Sequence, residues 1–302
     1  MVLGPTASGK SALALALARR FDTIELISAD SMQVYRGMDI GTAKPSAVEQ
    51  AEVPHHLIDV TDPADDYTVS AFQAAANAAI ADIRSRGRHP VIVGGTGLYI
   101  QAVVNALEIP GQFPEARAAI DANPDTEALH QELAALDPVA AARMEPNNRR
   151  RVARALEVTR GSGRPFSSFG PGIDAYPEVA FEQVGLRLQR EQINQRIDAR
   201  YVEQMEQGFL TEVETLRSRP EGLSRAPRQA LGYKELLEHL EHRLSLAGAL
   251  DLARHRTHRF ARRQERWFRR DPRITWLDAE SNPMDRLDDL VGHFERVLTS
   301  CK

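Results

Sequence analysis

Short apolar runs alternate with longer segments of helical composition along the first hundred residues. Mostly apolar or β-branched runs at residues 1–3, 24–28 and 90–93 predict three short strands, and the segment HHLIDV at residues 55–60 predicts one more. Between them, residues 11–20 are rich in Ala and Leu, and Thr68 is a suitable N-cap for an Ala-rich helix that ends at Gly87. Strands that alternate with helices in this way predict an α/β fold with a parallel, doubly wound sheet.

The pattern changes near Pro110. Residues 112–177 contain no clear strand and predict several short helices, one of which begins with Asp137 as N-cap and Pro138 as first helical residue. Residues 179–188 predict a strand that returns to the sheet, and mostly helices follow, with one more short strand at residues 273–278. The sequence therefore predicts a core formed by residues 1–111 and 178–302, with a helical insertion domain at residues 112–177.

Composition and charge narrow the class of protein. The 302 residues are 42% apolar and 26% charged, and the net charge of −4 neither favours nor excludes a nucleic-acid partner. The single cysteine, Cys301, excludes a disulfide framework and a multi-cysteine zinc site, and we expect it to be inert. No apolar run approaches the ~18 residues of a membrane span and no leader precedes the first motif, so we expect a cytoplasmic protein without membrane contact.

A phosphate-binding motif follows the first predicted strand. The segment matches G-x-x-x-x-G-K-[ST] at every fixed position and consists of Gly4, Pro5, Thr6, Ala7, Ser8, Gly9, Lys10 and Ser11. In this motif backbone N–H groups and a lysine hold phosphate oxygens, a hydroxyl reaches Mg²⁺, and the following helix contributes its dipole. The motif predicts a diphosphate or triphosphate site without specifying the compound. Only three residues precede it, which predicts a very short first strand and favours a translation start upstream of Met1.

Two polar side chains follow other predicted strands. Asp30 comes directly after the strand at residues 24–28, at the sheet edge where ligands bind in open α/β folds. A carboxylate there can hold Mg²⁺ or act as a general base, and it can equally cap a turn. Thr96, in the glycine-rich turn after the fourth strand, can contact phosphate or substrate, or serve only as a helix N-cap.

Arginine is concentrated in two segments. The first contains Arg149, Arg150, Arg151, Arg154 and Arg160. The second spans residues 254–270 and includes five arginines that recur every three or four residues: Arg256, Arg259, Arg263, Arg266 and Arg270. On a helix these five fall within about 80° of one face, edged by Phe260 and Trp267. Because few acids compensate this stripe, the pattern favours a polyanionic partner over a solvated helix face. His55 and His56 have no metal-ligand spacing, and we assign them no chemistry.

Five segments together resemble the tRNA dimethylallyltransferases, also called tRNA isopentenyltransferases. They are GPTASGKS, ISADSMQVYRGMDIGTAKP, VGGTGLYI, RRVARALEV and RQALGYKE, and the run from Asp30 to Pro45 is far more specific than the phosphate-binding motif. The resemblance, which extends from residue 4 to about residue 277, implies a P-loop nucleoside-triphosphatase-like core with an inserted helical domain. It implies transfer of a dimethylallyl group from dimethylallyl diphosphate to the N6 amine of the adenosine just 3′ of the anticodon, in tRNAs that read codons beginning with U.

The resemblance also implies roles for individual residues. Thr6 to Ser11 would hold the diphosphate with Mg²⁺ at Ser11, and the catalytic group would be Asp30, as general base, with Lys10 and Thr96. The residues implied to contact tRNA are Asp30, Ser31, Met32, Gln33, Thr96, Arg117, Arg150, Arg151, Arg154, Arg228, Gly232 and Tyr233. Arg150 replaces a glutamine of the family's corresponding segment, and the chain has no cysteines for the C-terminal zinc finger of some relatives.

Three other functions are compatible with parts of the pattern. A P-loop kinase of small molecules would use the same phosphate-binding motif, with Asp30 activating a hydroxyl. A prenyltransferase for free adenine nucleotides would need neither the insertion nor the second arginine stripe. A nucleotide-gated RNA-binding protein without catalysis would not need Asp30. We expect a monomer whose partners are tRNA and dimethylallyl diphosphate.

Overall fold

A computed structural model of the protein describes residues 1–300. Cys301, expected to be inert, lies outside the described residues, as does Lys302. Clustering of the backbone divides the chain into two compact units, one formed by Met1–Val103 and Glu178–Lys302 and the other by Val104–Pro177. The second unit begins eight residues before the predicted boundary at residue 112, and it ends at the predicted residue 177.

Six strands of the first unit form one parallel sheet in the order β3-β2-β4-β1-β5-β6. They are β1 (Val2–Leu3), β2 (Ile24–Ala29), β3 (His55–His56), β4 (His89–Gly94), β5 (Gln183–Arg187) and β6 (Ile274–Asp278). Although it has only two residues, β1 pairs on both sides, because Val2 lies opposite both Val93 and Val184. The arrangement confirms the α/β class and the parallel sheet expected from the alternating pattern.

Helices cover the sheet and form most of the remaining chain. They are α1 (Lys10–Arg20), α2 (Ala47–Glu52), α3 (Val69–Ser85), α4 (Gly97–Val104), α5 (Pro114–Asp121), α6 (Thr126–Leu136), α7 (Pro138–Ala142), α8 (Arg149–Ser162), α9 (Arg190–Glu206), α10 (Phe209–Arg217), α11 (Arg225–Arg228), α12 (Tyr233–Leu240), α13 (Leu246–Phe268) and α14 (Leu287–Ser300), with short 3₁₀ helices at Phe166–Ser168 and Pro283–Arg286. Thr68 caps α3 by accepting a hydrogen bond from the Ala71 N–H, and Asp137 caps α7, as the sequence predicts.

The third strand is shorter than predicted. The segment HHLIDV at residues 55–60 predicts a strand of six residues, whereas only His55 and His56 pair with β2. Leu57 and Asp59 adopt left-handed conformations with φ of 63° and 56°, which a pleated strand cannot accommodate. The chain therefore leaves the sheet after His56, and the prediction of a full strand was wrong.

The regular secondary structure of the second unit consists of helices only. Helices α5 to α8 pack around a core of its own that includes Ile120, Leu129, Leu133 and Leu156. No strand occurs between Val104 and Pro177, all of which the structure describes. This agrees with the helical character predicted for residues 112–177.

A buried carboxylate connects β2 to the end of α3. Glu25 is 2% exposed and accepts hydrogen bonds of 2.5 Å and 2.8 Å from Arg86 and one of 2.7 Å from His56. Arg88 forms a further ion pair with it at 2.9 Å. The hydrogen bonds from Arg86 are the main reason why the pKa of Glu25 is lowered to about 2.

We expect Glu25→Gln to lower the free energy of unfolding at neutral pH by about 3 kcal/mol, because a neutral amide loses the charge-assisted hydrogen bonds that the buried carboxylate accepts from Arg86 and His56. The folded-state pKa of about 2 lies below the ordinary glutamate value of 4.5, so this stabilisation is complete above pH 4.5 and is lost as the pH falls towards 2. Urea unfolding of both proteins across this pH range measures the difference. Asp82→Asn is the matched control, because it removes only the 61% exposed carboxylate paired with Arg86. A difference that does not shrink with falling pH would contradict this explanation.

Candidate active site

The phosphate-binding loop, Asp30 and Thr96 all follow strands that are neighbours in the sheet. In the sheet β4 lies between β2 and β1, and Gly94 at its end is level with both Ala29 and Leu3. The three loops that leave these strands therefore start from the same edge of the sheet. This is the carboxyl edge, where open parallel sheets bind their ligands.

Residues 4–11 form a tight turn that leads into α1. Ala7 and Gly9 have φ values of 62° and 89°, and the Ser8 N–H donates to the Pro5 carbonyl at 3.3 Å. A left-handed alanine is uncommon, and such conformations are concentrated at ligand sites. A Cβ on residue 9 would lie 2.5 Å from Pro283, so only glycine fits there. The turn has the form required for the first N–H groups of α1 to face an anion.

Distant segments of the same unit support this loop. The side chain of Gln264, on α13, accepts a hydrogen bond from the Thr6 N–H at 2.9 Å and donates to the Gly95 carbonyl at 2.8 Å. Arg196, on α9, donates to the Ala7 carbonyl at 2.9 Å. Gln264 thus connects the phosphate-binding loop to the glycine-rich loop that carries Thr96. Sequence analysis missed it, although Gln264 and Thr257 are the two uncharged polar residues on the buried face of this arginine-rich helix.

Two cations lie close to Asp30 inside the site. Burial lowers the pKa of Lys10 to about 8, the negative charge of Asp30 opposes this shift, and the positive charge of Arg200 adds to it. Burial likewise lowers the pKa of Arg200, again opposed by Asp30. Lys10 donates to the Pro5 carbonyl at 3.2 Å, and the buried Nε of Arg200 has no hydrogen-bond partner in the described part of the chain. Such a pair of under-compensated cations suits a multiply charged anion. Sequence analysis did not identify Arg200.

Asp30 and Thr96 are joined through Ser31. One carboxylate oxygen of Asp30 accepts the Met32 N–H at 2.8 Å, so Asp30 does cap its own turn. Its other oxygen makes no hydrogen bond to the described residues. The hydroxyl of Thr96 accepts the Ser31 N–H at 3.2 Å and lies 3.5 Å from the Ser31 hydroxyl. The structure therefore brings these predicted site residues together and leaves one carboxylate oxygen available for chemistry.

A small cavity lies beside the phosphate-binding loop. It has a volume of about 150 Å³ and includes Ser11, Leu15, Leu26, Ser28, Gln33 and Val93 in its lining. The side chain of Gln33 accepts a hydrogen bond from Ser28 at 2.8 Å and donates to the carbonyls of Thr42 and Ala43 at 3.3 Å and 3.2 Å. The cavity thus combines an apolar wall with hydroxyl and amide groups.

The predicted site residues of the second unit differ in their surroundings. Arg117 forms an ion pair with Asp121 at 2.9 Å, and Arg154 pairs with Glu157 at 2.6 Å. Arg154 also donates to the carbonyls of Pro110 and Gly111 at 2.8 Å and 3.1 Å. Arg150 and Arg151 are exposed and have no ion pair with any described residue. These two arginines are therefore available to a polyanion, whereas Arg154 already holds its own unit together.

The late predicted segment of the first unit is mostly buried. Tyr233 is 1% exposed and its hydroxyl donates to Glu212 at 2.6 Å. Gly232 precedes α12 with φ of 84°, and its N–H donates to Glu235 at 2.8 Å. Arg228 is 53% exposed and lies 3.7 Å from Glu241. Of these three, only Arg228 presents its side chain to solvent.

The second arginine stripe is largely exposed on α13. Arg256 forms an ion pair with Glu235, which is buried. Helix α13 ends at Phe268, so Arg270 lies beyond the helix, with its guanidinium 4.8 Å from the centre of the Trp267 ring. The remaining arginines contribute to a groove of about 480 Å³ lined by Arg190, Arg259, Arg262, Arg263, Glu265, Arg266 and Arg269. This groove has the charge expected of a phosphate-backbone surface.

The described residues contain neither a metal-binding cluster nor a membrane-spanning helix. Within residues 1–300, no group of three or more His, Cys, Asp or Glu side chains could hold a metal ion. Over the same range, no helix is both long and apolar enough to cross a membrane.

Comparison with known proteins shows what the chain is similar to. Residues 33–271 match the model of the IPP transferase family. Proteins named tRNA dimethylallyltransferase from Bifidobacterium longum and Kineococcus radiotolerans are 46% and 44% identical to the chain; the matches cover 97% and 94% of this chain and 90% and 92% of theirs.

Solved structures give a consistent result. The full-length tRNA isopentenylpyrophosphate transferase from Bacillus halodurans is 37% identical with a TM-score of 0.72, over 99% of this chain and 96% of that chain. A eukaryotic dimethylallyltransferase acting on tRNA gives a TM-score of 0.76 at 29% identity, over 92% of this chain and 73% of that chain. The similarity therefore extends over both units of the chain.

Proposed function

Because this chain belongs to the IPP transferase family, we propose that it transfers a dimethylallyl group from dimethylallyl diphosphate to the N6 amine of an adenosine in tRNA. The target is the adenosine just 3′ of the anticodon in tRNAs that read codons beginning with U. The observation that carries the proposal is the convergence of the phosphate-binding loop, Asp30 and Thr96 at one edge of the sheet. There an anion site adjoins a carboxylate that can accept a proton.

The diphosphate of the donor is held by residues 4–11. The N–H groups at the start of α1 face its oxygens, and the Lys10 ammonium neutralises part of its charge. Arg200 adds a second cation, which is supported by its buried Nε without a hydrogen-bond partner in the described chain. The same groups stabilise the charge that develops on the diphosphate as it leaves, which favours breakage of its bond to the allylic carbon.

Mg²⁺ fits this site through Ser11. The Ser11 side chain is exposed at the start of α1 and makes no hydrogen bond to the described residues, so its hydroxyl is available to a cation. Mg²⁺ commonly takes only one or two protein groups, with water and substrate phosphates as its other ligands. When bound, the ion would neutralise diphosphate charge.

Asp30 acts on the nucleophile. An exocyclic adenine amine is a weak nucleophile, and a carboxylate that accepts its proton assists formation of the new C–N bond. The free oxygen of Asp30 is suited to this role, while its other oxygen is fixed by the Met32 N–H. Ser31 and Thr96 are proposed to orient the base. In the balanced reaction one C–N bond forms, one C–O bond breaks, and the proton leaves N6 for the Asp30 carboxylate.

The dimethylallyl group needs an apolar pocket next to the diphosphate. The cavity of about 150 Å³ beside Ser11 meets this need, since Leu15, Leu26 and Val93 form part of its wall. A five-carbon chain is small enough for such a volume. The apolar part of the wall supports a small isoprenoid diphosphate as the occupant of the anion site.

Exposed arginines provide the tRNA surface. Arg150 and Arg151 of α8, Arg117, Arg228 and the groove on α13 are proposed to contact the phosphate backbone, which binds arginine without regard to sequence. The target adenosine lies in a loop, so it can leave its stack and enter the site. Because one chain carries every proposed site residue, we propose that the protein acts as a monomer. We also propose that it acts in the cytoplasm.

The direct test offers the protein two classes of acceptor. Purified protein is incubated with Mg²⁺, labelled dimethylallyl diphosphate and either an unmodified tRNA or free AMP, and label in each acceptor is counted. We expect label in tRNA and none in AMP. Label in AMP would instead support a prenyltransferase of free nucleotides, and hydrolysis of added ATP without any label transfer would support a kinase.

A further inference from the structure

Three consecutive N–H groups in the loop after Tyr35 converge on one carboxylate. The loop spans residues 37–44 and has no helix or strand. The N–H groups of Asp39, Ile40 and Gly41 donate to the side chain of Glu212 on α10 at 2.9, 2.7 and 3.2 Å. Glu212 thus satisfies backbone donors that would otherwise need water or a regular element. One side chain therefore fixes three consecutive residues of this loop.

Glu212 is itself held in place by a buried phenol. Tyr233 donates its hydroxyl to the same carboxylate at 2.6 Å. Burial, followed by the charge of Glu212, raises the pKa of Tyr233 far above its usual value, so the hydroxyl stays a donor. A Cβ on residue 41 would lie 2.2 Å from Phe209 and 2.5 Å from Tyr233, so the loop can approach these rings only with glycine there.

Further contacts fix the other side of the loop. Gln204, on α9, donates to the Ile40 carbonyl at 2.6 Å. Lys44 donates to the Tyr35 carbonyl at 3.0 Å and to the carboxylates of Asp39 and Asp59 at 2.5 Å each. The loop is therefore held from both sides, and its end at Lys44 has a defined position.

The loop leads directly to the active site through Gln33. The Ala43 N–H donates to the Ile40 carbonyl at 3.0 Å, so the segment fixed by Glu212 sets where residues 42 and 43 lie. The carbonyls of Thr42 and Ala43 in turn accept the two hydrogen bonds that the Gln33 amide donates. Gln33 is three residues after Asp30 and lines the cavity beside Ser11.

We propose that Glu212 is a positioning residue for the base-binding end of the active site, acting through the loop at residues 37–44 and Gln33. The inference rests on the proposed function, since it assigns Gln33 to the acceptor side of the reaction. It also changes the role of Tyr233, which the sequence predicts as a tRNA contact: with 1% of its surface exposed, Tyr233 acts through Glu212.

The test separates acceptor binding from donor binding. In Glu212→Gln the side chain keeps its shape, but one of its two acceptor oxygens becomes an NH2 group and the negative charge is lost, so the three N–H groups can no longer all be satisfied. We expect KM for tRNA to rise and kcat to fall by about tenfold each, because hydrogen bonds to a charged group are lost. KM for dimethylallyl diphosphate should change by no more than about threefold, because residues 4–11, which hold its diphosphate, make none of these contacts, although Gln33 lines the cavity proposed for its dimethylallyl group. Tyr233→Phe, which removes one hydrogen bond, should shift the tRNA parameters in the same direction by a smaller factor.

Glu214→Gln is the matched control, since Glu214 is an exposed carboxylate on the same helix, and it should behave as wild type. A double-mutant cycle of Glu212→Gln with Gln33→Ala tests the route, and we expect the second change to add little to the first. The proposal would be overturned if the effects of Glu212→Gln and Gln33→Ala were fully additive, or if Glu212→Gln raised KM for tRNA and KM for dimethylallyl diphosphate equally. If the wild-type protein transfers no dimethylallyl group to tRNA, the proposed function fails instead, which is a distinguishable result.

Discussion

Asp30→Asn is expected to lower kcat for dimethylallyl transfer to tRNA about 10³-fold, within the range typical of general-base catalysis. The asparagine oxygen can still accept the Met32 N–H, so the turn is retained, but the amide cannot take a proton from the N6 amine. KM for both substrates should change by no more than about threefold. Single-turnover transfer measured at saturating tRNA and dimethylallyl diphosphate gives the rate of the chemical step directly.

Asp22→Asn is the control for this substitution, because Asp22 is an exposed carboxylate just before the opposite end of the same strand, β2. We expect it to leave the rate unchanged. If Asp30→Asn also kept the wild-type rate, Asp30 would be a turn cap alone, and the proton acceptor would have to be sought elsewhere. If Asp30→Asn instead raised KM for tRNA about 10³-fold and left kcat unchanged, Asp30 would be a group that binds tRNA.

Lys10→Met should reduce kcat/KM for dimethylallyl diphosphate by about 10²-fold to 10³-fold, because it removes a cation from the charge that develops on the leaving group. The pKa of about 8 means that Lys10 is mostly protonated at neutral pH in the free protein. A methionine of similar length preserves the packing of the stem. Steady-state kinetics with varied donor, together with a separate measurement of tRNA affinity, checks the prediction.

The tRNA dissociation constant of Lys10→Met should match that of the wild-type protein. Lys10→Arg retains the charge without the geometry, so it should recover part of the lost activity. A comparable loss of tRNA affinity would show that the substitution disturbs more than the donor site. Unchanged kinetics with the donor would contradict the assignment of residues 4–11 to the diphosphate.

Local signals in the sequence predict much of the fold correctly. Thr68 and Asp137 begin helices because each supplies a side-chain acceptor to the next turn, which depends on a few neighbouring residues only. The phosphate-binding loop is predicted for the same reason, since its eight residues carry the entire signal. The strand at residues 55–60 failed because left-handed turns at Leu57 and Asp59 override an apolar run at the edge of the sheet.

Residues that depend on distant partners could not be predicted. Gln264 reaches Thr6 from 258 positions away in the sequence, and Glu212 reaches Asp39 from 173 positions away. Neither belongs to a local motif, and only the packing of α10 and α13 in the fold brings them to their partners. The arginine stripe shows the same limit: its helical face was predicted, but the ion pair of Arg256 with buried Glu235 requires knowledge of α12.

The most direct test of the central claim uses two tRNAs that differ only in the nucleotide just 3′ of the anticodon. Each is incubated with the protein, Mg²⁺ and dimethylallyl diphosphate, then digested, and the nucleosides are identified by mass spectrometry. We predict one dimethylallyl group on N6 of that adenosine in the first tRNA, and no modified nucleoside in the second, where guanosine replaces it. The same dimethylallyl product in both tRNAs, or none in either, would contradict the account.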